Sequence, residues 1–291
     1  MQMKQKKTSI FEFKPEDLGL PLDEKIGKID EIFTEGLKLS KKPLLLFSGG
    51  SDSLLLLAFL LKHKPETNVL YVDMNMNFPE FDKLFNERIR SKIENLHYFK
   101  IDYNERSFIK KFGTPIYPGV EEMGYEKKDF PELNLNCACS ELKDDILQNQ
   151  YATLKPDLTI MGFLALDKPK RYNRVLERGY LQLGNPENLF LPIAMLKKEE
   201  VFWALDELDF PYIRDIYFHK DTGNLCKGDG VCYMCSAKCF TNPKLGNWDL
   251  IRKNYPILWE NMLEYGLEEK IKDLYKKTGD KRFEESLEYY F

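Results

Sequence analysis

Short apolar runs alternate with amphipathic stretches over the first hundred residues. Residues 22–39, LDEKIGKIDEIFTEGLKL, place Ile26, Ile29, Ile32 and Phe33 at helical spacing and predict an amphipathic leading helix. PLLLF (43–47) is continuous and apolar, as a strand covered on both faces is. A leucine-rich helix is predicted from about Asp52 to His63, then a second buried strand at NVLYVD (68–73). Residues 80–95 return to the helical period, HYFKID (97–102) predicts a third strand, and another helix starts near Glu105. PDLTIMG (156–162) predicts a fourth strand. Strand alternating with helix at this interval is the pattern of a parallel sheet with crossover helices. The expected fold is therefore α/β, with a mostly parallel sheet of about five strands, helices on both faces and a helical C-terminal part. Residues 247–290 read as three helical segments, with Pro256 starting or kinking one. Their aromatic residues (Trp248, Tyr255, Trp259, Tyr265, Tyr275) are read as core or interface ahead of base stacking.

Between the first strand and its helix stand six small or acidic residues, Ser48, Gly49, Gly50, Ser51, Asp52 and Ser53. A strand that ends this way and feeds a helix presents backbone N–H groups at the positive end of the helix dipole. That is an anion site, and the glycines let a phosphate approach the main chain. A plain helix cap needs only one such residue. The spacing fits neither the Walker loop, which ends Gly-Lys-Ser/Thr, nor the dinucleotide GxGxxG turn. Asp73 closes the second strand, where a carboxylate serves either as an Mg²⁺ ligand or as a turn residue.

The net charge of −4 argues against a broadly basic nucleic-acid binder. KPKRYNR (168–174) is a local basic stretch, read either as a solvated loop or as a phosphate contact. No run reaches the ~18–20 apolar residues of a membrane span, and the N-terminus lacks a signal-peptide h-region, so a cytoplasmic protein with no membrane partner is expected. Disulfides are unexpected there. Four of the six cysteines, Cys226, Cys232, Cys235 and Cys239, lie within fourteen residues, and Cys137 and Cys139 form a separate pair. Four thiolates in one loop can close a tetrahedral site for Zn²⁺ or a cluster.

SGGSDS resembles the S-G-G-x-D-S pyrophosphate loop of the ATP α-hydrolase (PP-loop ATP pyrophosphatase) superfamily. The resemblance implies that Ser48, Gly49, Gly50, Ser51 and Ser53 cradle the β/γ phosphates of ATP, with Asp52 holding the loop or orienting Mg²⁺. Val72, Asp73, Phe78, Pro79 and Glu80 resemble the V-D…F-P-E-T segment of the phosphoadenylyl-sulfate reductase branch, with Phe81 in place of the threonine. CSELK (139–143) resembles that branch's C-x-x-x-K segment opening a helix. Gly162 and Arg171 fit its substrate loop, whereas Leu164, Leu166, Asp167 and Lys168 depart from the internal Arg and Glu-Ser. LPIAMLKKEEVFWAL (191–205) and the closing C-x-x-C extend the likeness, which covers about two-thirds of the chain.

Read through this resemblance, residues 1–40 are a helical lead-in, 41–215 an ATP-binding PP-loop domain, and 216–291 a cysteine metal loop with terminal helices. Asp52, Ser53 and Asp73 become the expected catalytic residues. A [4Fe–4S] cluster on Cys139, Cys232, Cys235 and Cys239 is favoured, with Cys226 and Cys137 as further candidate ligands and Zn²⁺ as the alternative. The implied activity is adenylation of a substrate by ATP, releasing pyrophosphate, coupled to sulfur transfer into DNA or tRNA. Implied partners are a nucleic-acid or nucleobase substrate, a cysteine desulfurase or other sulfur donor, and a second copy of the chain. The alternatives are deazaguanine-type base synthesis with structural zinc, a sulfonucleotide reductase, and a non-catalytic nucleotide-binding subunit. The reductase reading ranks lower because no cysteine follows Cys239 and the substrate-loop arginine is missing.

Overall fold

Parallel pairing of the apolar runs builds the centre of the sheet. The computed structural model describes residues 9–112, 136–184, 188–218, 231–233 and 247–291. Its strands are β1 (Pro43–Phe47), β2 (Asn68–Asp73), β3 (Asn95–Lys100), β4 (Leu158–Ile160), β5 (Leu181–Gln182) and β6 (Leu189–Phe190). Their order is β3-β2-β1-β4-β6-β5. β1 pairs parallel with β2 and β4, β4 pairs parallel with β6, and β5 runs antiparallel to β6. The mostly parallel α/β fold is as expected, but the sheet has six strands rather than about five. β5 and β6 are two residues each, too short for any period to register in sequence. β4 is also shorter than the 156–162 run, leaving Gly162 beyond its end.

The first helices are α1 (Leu22–Lys38), α2 (Ser51–His63) and α3 (Pro79–Leu84), the last continuing as a π-helical turn through Ile89. They are followed by α4 (Glu105–Phe112), α5 (Asn136–Leu154), α6 (Pro169–Arg178), α7 (Lys198–Glu207) and α8 (Arg214–Tyr217). The C-terminal part holds α9 (Asn247–Asn254), α10 (Pro256–Glu264), α11 (Leu267–Thr278) and α12 (Lys281–Tyr290). That is four helices where three segments were expected. Pro256 opens α10 at its first position, and Gly266 and Gly279, both at positive φ, separate the last two helices from what precedes them. No helix among the described residues is long and apolar enough to cross a membrane.

The chain sorts into two compact units. The first comprises Met1–Tyr71, Phe81–Phe99 and Asn149–Tyr212. There α2 is buried at every position from Ser51 to Leu60, which explains why its sequence is apolar all round there rather than on one stripe. Phe33 of α1 stacks on Phe59 and meets Phe190, both at 5.7 Å between ring centroids. Gly36 lets α1 lie directly on that ring: a Cβ there would fall 2.4 Å from Phe190. A second aromatic cluster joins Phe47, Tyr71, Phe85 and Tyr98.

The same unit seals a charge pair. Lys25 of α1 is fully buried, and its Nζ donates to both carboxylate oxygens of Glu200 at 2.8 Å and to the Leu18 carbonyl at 2.9 Å. Glu200 also accepts the Lys197 amide at 2.8 Å, so the pair pins the first turn of α7 to α1. Asp17 sits in a similar setting, accepting from Lys28, the Lys14 amide and the Tyr180 hydroxyl. Burial pushes its carboxyl up, but these donors outweigh burial and hold it below the ordinary value. At the amino-terminal ends of the two central strands, Asp157 accepts from the Ser40 hydroxyl and from the amides of Lys41 (2.9 Å) and Lys42 (3.0 Å). It thereby ties the start of β4 to the start of β1.

The second unit comprises Val72–Glu80, Lys100–Gln148 and Ile213–Phe291. Leu258, Trp259, Met262, Leu267, Ile271, Leu274, Phe283 and Tyr290 are buried among its terminal helices, and Trp259 packs on Tyr290 and Phe291. For Trp259 the core reading of the aromatic tail holds.

Glu200→Ala should strand the Lys25 ammonium in a dry interior and cost about 3–5 kcal/mol. Denaturant unfolding measures this; a loss under about 1 kcal/mol would mean the pair is not sealed. The Asp157 carboxyl is also held below its ordinary value, its three donors outweighing burial. Its stabilising contribution is present above the unfolded-state value near pH ~4 and is lost as pH falls through the lower folded value. Asp157→Asn should therefore flatten the acid limb of the stability profile, read from thermal unfolding between neutral pH and pH ~3.

Candidate functional site

The order of the sheet reverses between β1 and β4: from β1 the chain goes first to β2 and β3, then back to β4 on the other side. In open α/β sheets such a reversal leaves a crevice outside the carboxyl ends of the strands. The residues Ser48–Gly50 follow β1 there and Gly162 follows β4.

The loop turns because Gly49 takes φ +77°, a conformation that costs glycine little and other residues more. Gly50 is the N-cap of α2 and no side chain caps the helix. The Leu54 amide is the first in the helix to reach an i−4 carbonyl, at 2.9 Å from Gly50. The amides of Ser51, Asp52 and Ser53 therefore precede the helical ladder, at the end where the dipole favours negative charge. The serine hydroxyls hold the turn. Ser53 Oγ donates to the Gly50 carbonyl at 2.9 Å, accepts the Ser48 amide at 3.2 Å and lies 3.1 Å from Ser48 Oγ. Ser48 Oγ in turn accepts the Gly50 amide at 3.3 Å. The hydroxyl of Ser53 thus shapes the loop, in addition to the phosphate contact expected from the sequence.

Gly162 is brought against this turn. A Cβ at Gly162 would lie 2.9 Å from Asp52 Cβ and 3.3 Å from the Asp52 carbonyl carbon and the Ser53 nitrogen. Only a residue without a side chain fits where β4 meets α2. Asp52 is buried and its Oδ1 accepts from Lys198 Nζ at 2.6 Å. Lys198 is the contact of this turn that sequence reasoning missed. The SGGSDS loop contains no cation, and the first turn of α7 supplies one. Its only sequence signal is a lysine pair opening the KKEEVFWAL helix.

Asp73, in the second unit, is the last residue of β2 and is almost fully buried. Its Oδ1 accepts from the Asn75 amide and from Asn77 Nδ2, both at 2.8 Å, and its carbonyl accepts the Ile101 amide at 2.8 Å. Asn75 takes φ +57° and donates its own Nδ2 to the Tyr103 carbonyl.

Other expected site residues have different settings. Arg171 lies on α6, ion-paired with Asp167 and placed over the Phe163 ring at 4.8 Å from its centroid. The basic stretch 168–174 is not a loop but the cap and first turns of α6, opened by Pro169 at its first position. Cys137 and Cys139 stand in the first turn of α5, so the C-x-x-x-K segment does open a helix. Cys232 is half-buried and its backbone bridges antiparallel to Asn77. Cys226, Cys235 and Cys239 lie outside the described residues. Among the described residues, no cluster of three or more His, Cys, Asp or Glu side chains could hold a metal ion.

An uncapped helix start, a glycine-closed turn and a switch-point position define a nucleotide-binding α/β protein with a phosphate loop. The chain belongs to the phosphoadenosine phosphosulfate reductase domain family, whose model matches residues 42–238. It is thus a member of the PP-loop superfamily in its phosphoadenylyl-sulfate reductase-like branch. An uncharacterized protein of Methanocaldococcus jannaschii is 23% identical over 236 residues, covering 77% of this chain. The aligned part spans 41% of that longer protein. The crystal structure of phosphoadenylyl-sulfate (PAPS) reductase from Candida auris, a phosphate complex, shares 18% identity with a TM-score of 0.46. That match covers 75% of this chain and 96% of the other.

Gly162→Ala should push α2 away from β4 and weaken nucleotide binding by about tenfold or more, roughly 1.4 kcal/mol, with the circular dichroism spectrum retained. Titration with a fluorescent ATP analogue measures it. Unchanged affinity would show that the β4–α2 contact does not shape the phosphate site.

Proposed function

We propose that this protein is an ATP pyrophosphatase that adenylates an acceptor and couples the adenylation to sulfur transfer, with a nucleic-acid base or backbone as the acceptor class. The observation that carries the reading is the uncapped, glycine-closed start of α2, with the Lys198 ammonium on Asp52. An acceptor oxygen attacks the α-phosphorus of ATP, the bond from that phosphorus to the α,β-bridging oxygen breaks, and pyrophosphate leaves. Amides of residues 51–53 and Lys198 stabilise the charge that gathers on pyrophosphate. Asp52 orients Lys198, and Gly162 keeps the wall of the turn thin enough for backbone to meet phosphate.

In the second half-reaction a sulfur nucleophile, a persulfide delivered by a cysteine desulfurase or an equivalent donor, attacks the atom bearing the adenylated oxygen. That bond to oxygen breaks and AMP departs; a second cysteine thiol then attacks the donor's own sulfur, the sulfur–sulfur bond breaks, and the transferred sulfur stays on the acceptor while a cysteine disulfide is left. Family membership and the six cysteines support this sulfur arm.

We assign Mg²⁺ to the oxygen donors, with Asp73 as its carboxylate; hard oxygen ligands suit this ion, which would neutralise phosphate charge. We assign a [4Fe–4S] cluster to Cys139, Cys232, Cys235 and Cys239, with Zn²⁺ as the alternative occupant of the cysteine loop. The described residues supply Cys232 and the backbone of Cys139 to that assignment.

A second reading is favoured by the family match itself: reduction of a sulfonucleotide, in which the same loop holds the nucleotide phosphates. The two differ in their products. With ATP, Mg²⁺ and tRNA or DNA under anaerobic conditions, the first reading expects AMP and pyrophosphate in equal amounts. Orthophosphate and ADP alone would overturn it, and sulfite release from phosphoadenylyl sulfate would establish the second. Cys235→Ser should lose metal by elemental analysis while still binding the ATP analogue; full metal content in that variant would remove Cys235 from the ligand set.

A further inference from the structure

Helix α7 has two unlike faces. Val201, Phe202, Ala204 and Leu205 are buried in the first unit, and Glu200 closes on Lys25. The apolar run VFWAL does not end with that face: Trp203 lies on the outside of the helix and is 56% exposed. A lone surface aromatic is ordinary, and a polar side chain would serve the fold equally well there.

What surrounds this indole is not ordinary. Glu199 stands one turn before it on the helix, and Asp206 and Glu207 stand one turn after it, all three exposed. None of these carboxylates has an ion partner among the described residues. From Glu199 to Asp209 the chain carries five acidic residues and no lysine or arginine. The cations just before them are Lys198, turned to Asp52, and Lys197, at the helix N-cap. Asp23 and Glu24 are also exposed, in the turn of α1 that Lys25 ties to Glu200, and they too lack ion partners among the described residues. An indole offers a cation the negative face of its ring, and unpaired carboxylates beside it add attraction of the same kind. The same charges repel phosphate, so neither nucleic acid nor an anionic lipid surface suits this face.

We propose that the outer face of α7 is a docking surface for a partner protein that presents a lysine- and arginine-rich segment, with Trp203 as the anchor. One cationic side chain of the segment lies on the indole, and its neighbours pair with Glu199, Asp206 and Glu207. Covering the ring supplies affinity, while the carboxylates supply encounter rate and choice of partner. This surface is independent of the reaction proposed above.

The test is binding of a capped, fluorescein-labelled peptide of alternating arginine and alanine to the full chain, read by anisotropy across a salt series. The intact protein should bind it, more weakly as salt rises, and should not bind the same peptide with glutamate in place of arginine. Trp203→Ala leaves the charge unchanged and should weaken binding about five- to tenfold, with Trp203→Phe restoring part of the loss. Glu199→Gln, Asp206→Asn and Glu207→Gln together should weaken it at least as far and flatten the salt dependence. Glutamine at Glu87, Glu177 and Glu285 removes as much charge from other exposed positions and should change binding by less than about twofold. Thermal unfolding and binding of the fluorescent ATP analogue should be unchanged in every variant. The proposal is overturned if the intact protein does not bind the arginine peptide, if Trp203→Ala binds it as well as the parent, or if the control substitutions weaken it as much as the α7 ones. Sedimentation equilibrium closes the remaining case: a parent chain that self-associates and a Trp203→Ala chain that does not would make the occupant a second copy and overturn the assignment to a partner protein.

Discussion

The phosphate loop exists because backbone touches backbone where β4 ends. The gap between Gly162 and the first turn of α2 is smaller than a methyl group, so the helix start is held at a fixed height above the sheet. The turn beside it is equally tight: Gly49 takes a positive φ, and the hydroxyls of Ser48 and Ser53 accept amides inside the turn. It is built almost wholly from main chain and small side chains, and Ser51, Asp52 and Ser53 are buried in it.

Charge reaches the loop by a relay of packed elements rather than from its own sequence. Lys25 fixes Glu200, Glu200 fixes the amide that opens α7, and the next residue, Lys198, lies against Asp52. A buried ion pair is weak evidence for stability and better evidence for specificity of arrangement. Here that arrangement sets the position of a cation beside the start of α2. Removing the pair would cost stability, but its more local effect would be on where Lys198 stands.

Much of this was legible from the residues. The runs 43–47 and 68–73 are continuous in apolar side chains because both faces of the central strands are covered, and the loop between β1 and α2 announces itself by its lack of bulk. Gly162 was legible only by resemblance; the close contact that demands glycine is a tertiary fact. β5 and β6 were not legible, since two residues cannot show a period. Lys198 was not legible because its partner lies 146 residues away, and nothing in a lysine pair at a helix start says which carboxylate it will meet. The basic stretch at 168–174 was read by charge either as a loop or as a phosphate contact; the loop is excluded, and Pro169 was a signal for the helix start found there.

The segment Met76–Glu80 has its partners at residues 231–233 and 255, and the hydroxyl that meets Glu80 lies 175 residues farther along the chain. On a ribosome, that segment is made early and completed late. Asp73 and its neighbours leave the exit tunnel long before residues 231–233 and Tyr255, so Phe78 waits for the two rings that pack on it. The first unit is spared most of this delay, since its own last segment closes at Tyr212. Synthesis therefore passes through an interval in which one unit has all of its residues and the other, interleaved with it in sequence, does not. In that interval Phe78 and the main chain beside it lack the partners that cover them in the finished protein, a transient exposure of apolar surface of the kind that favours aggregation.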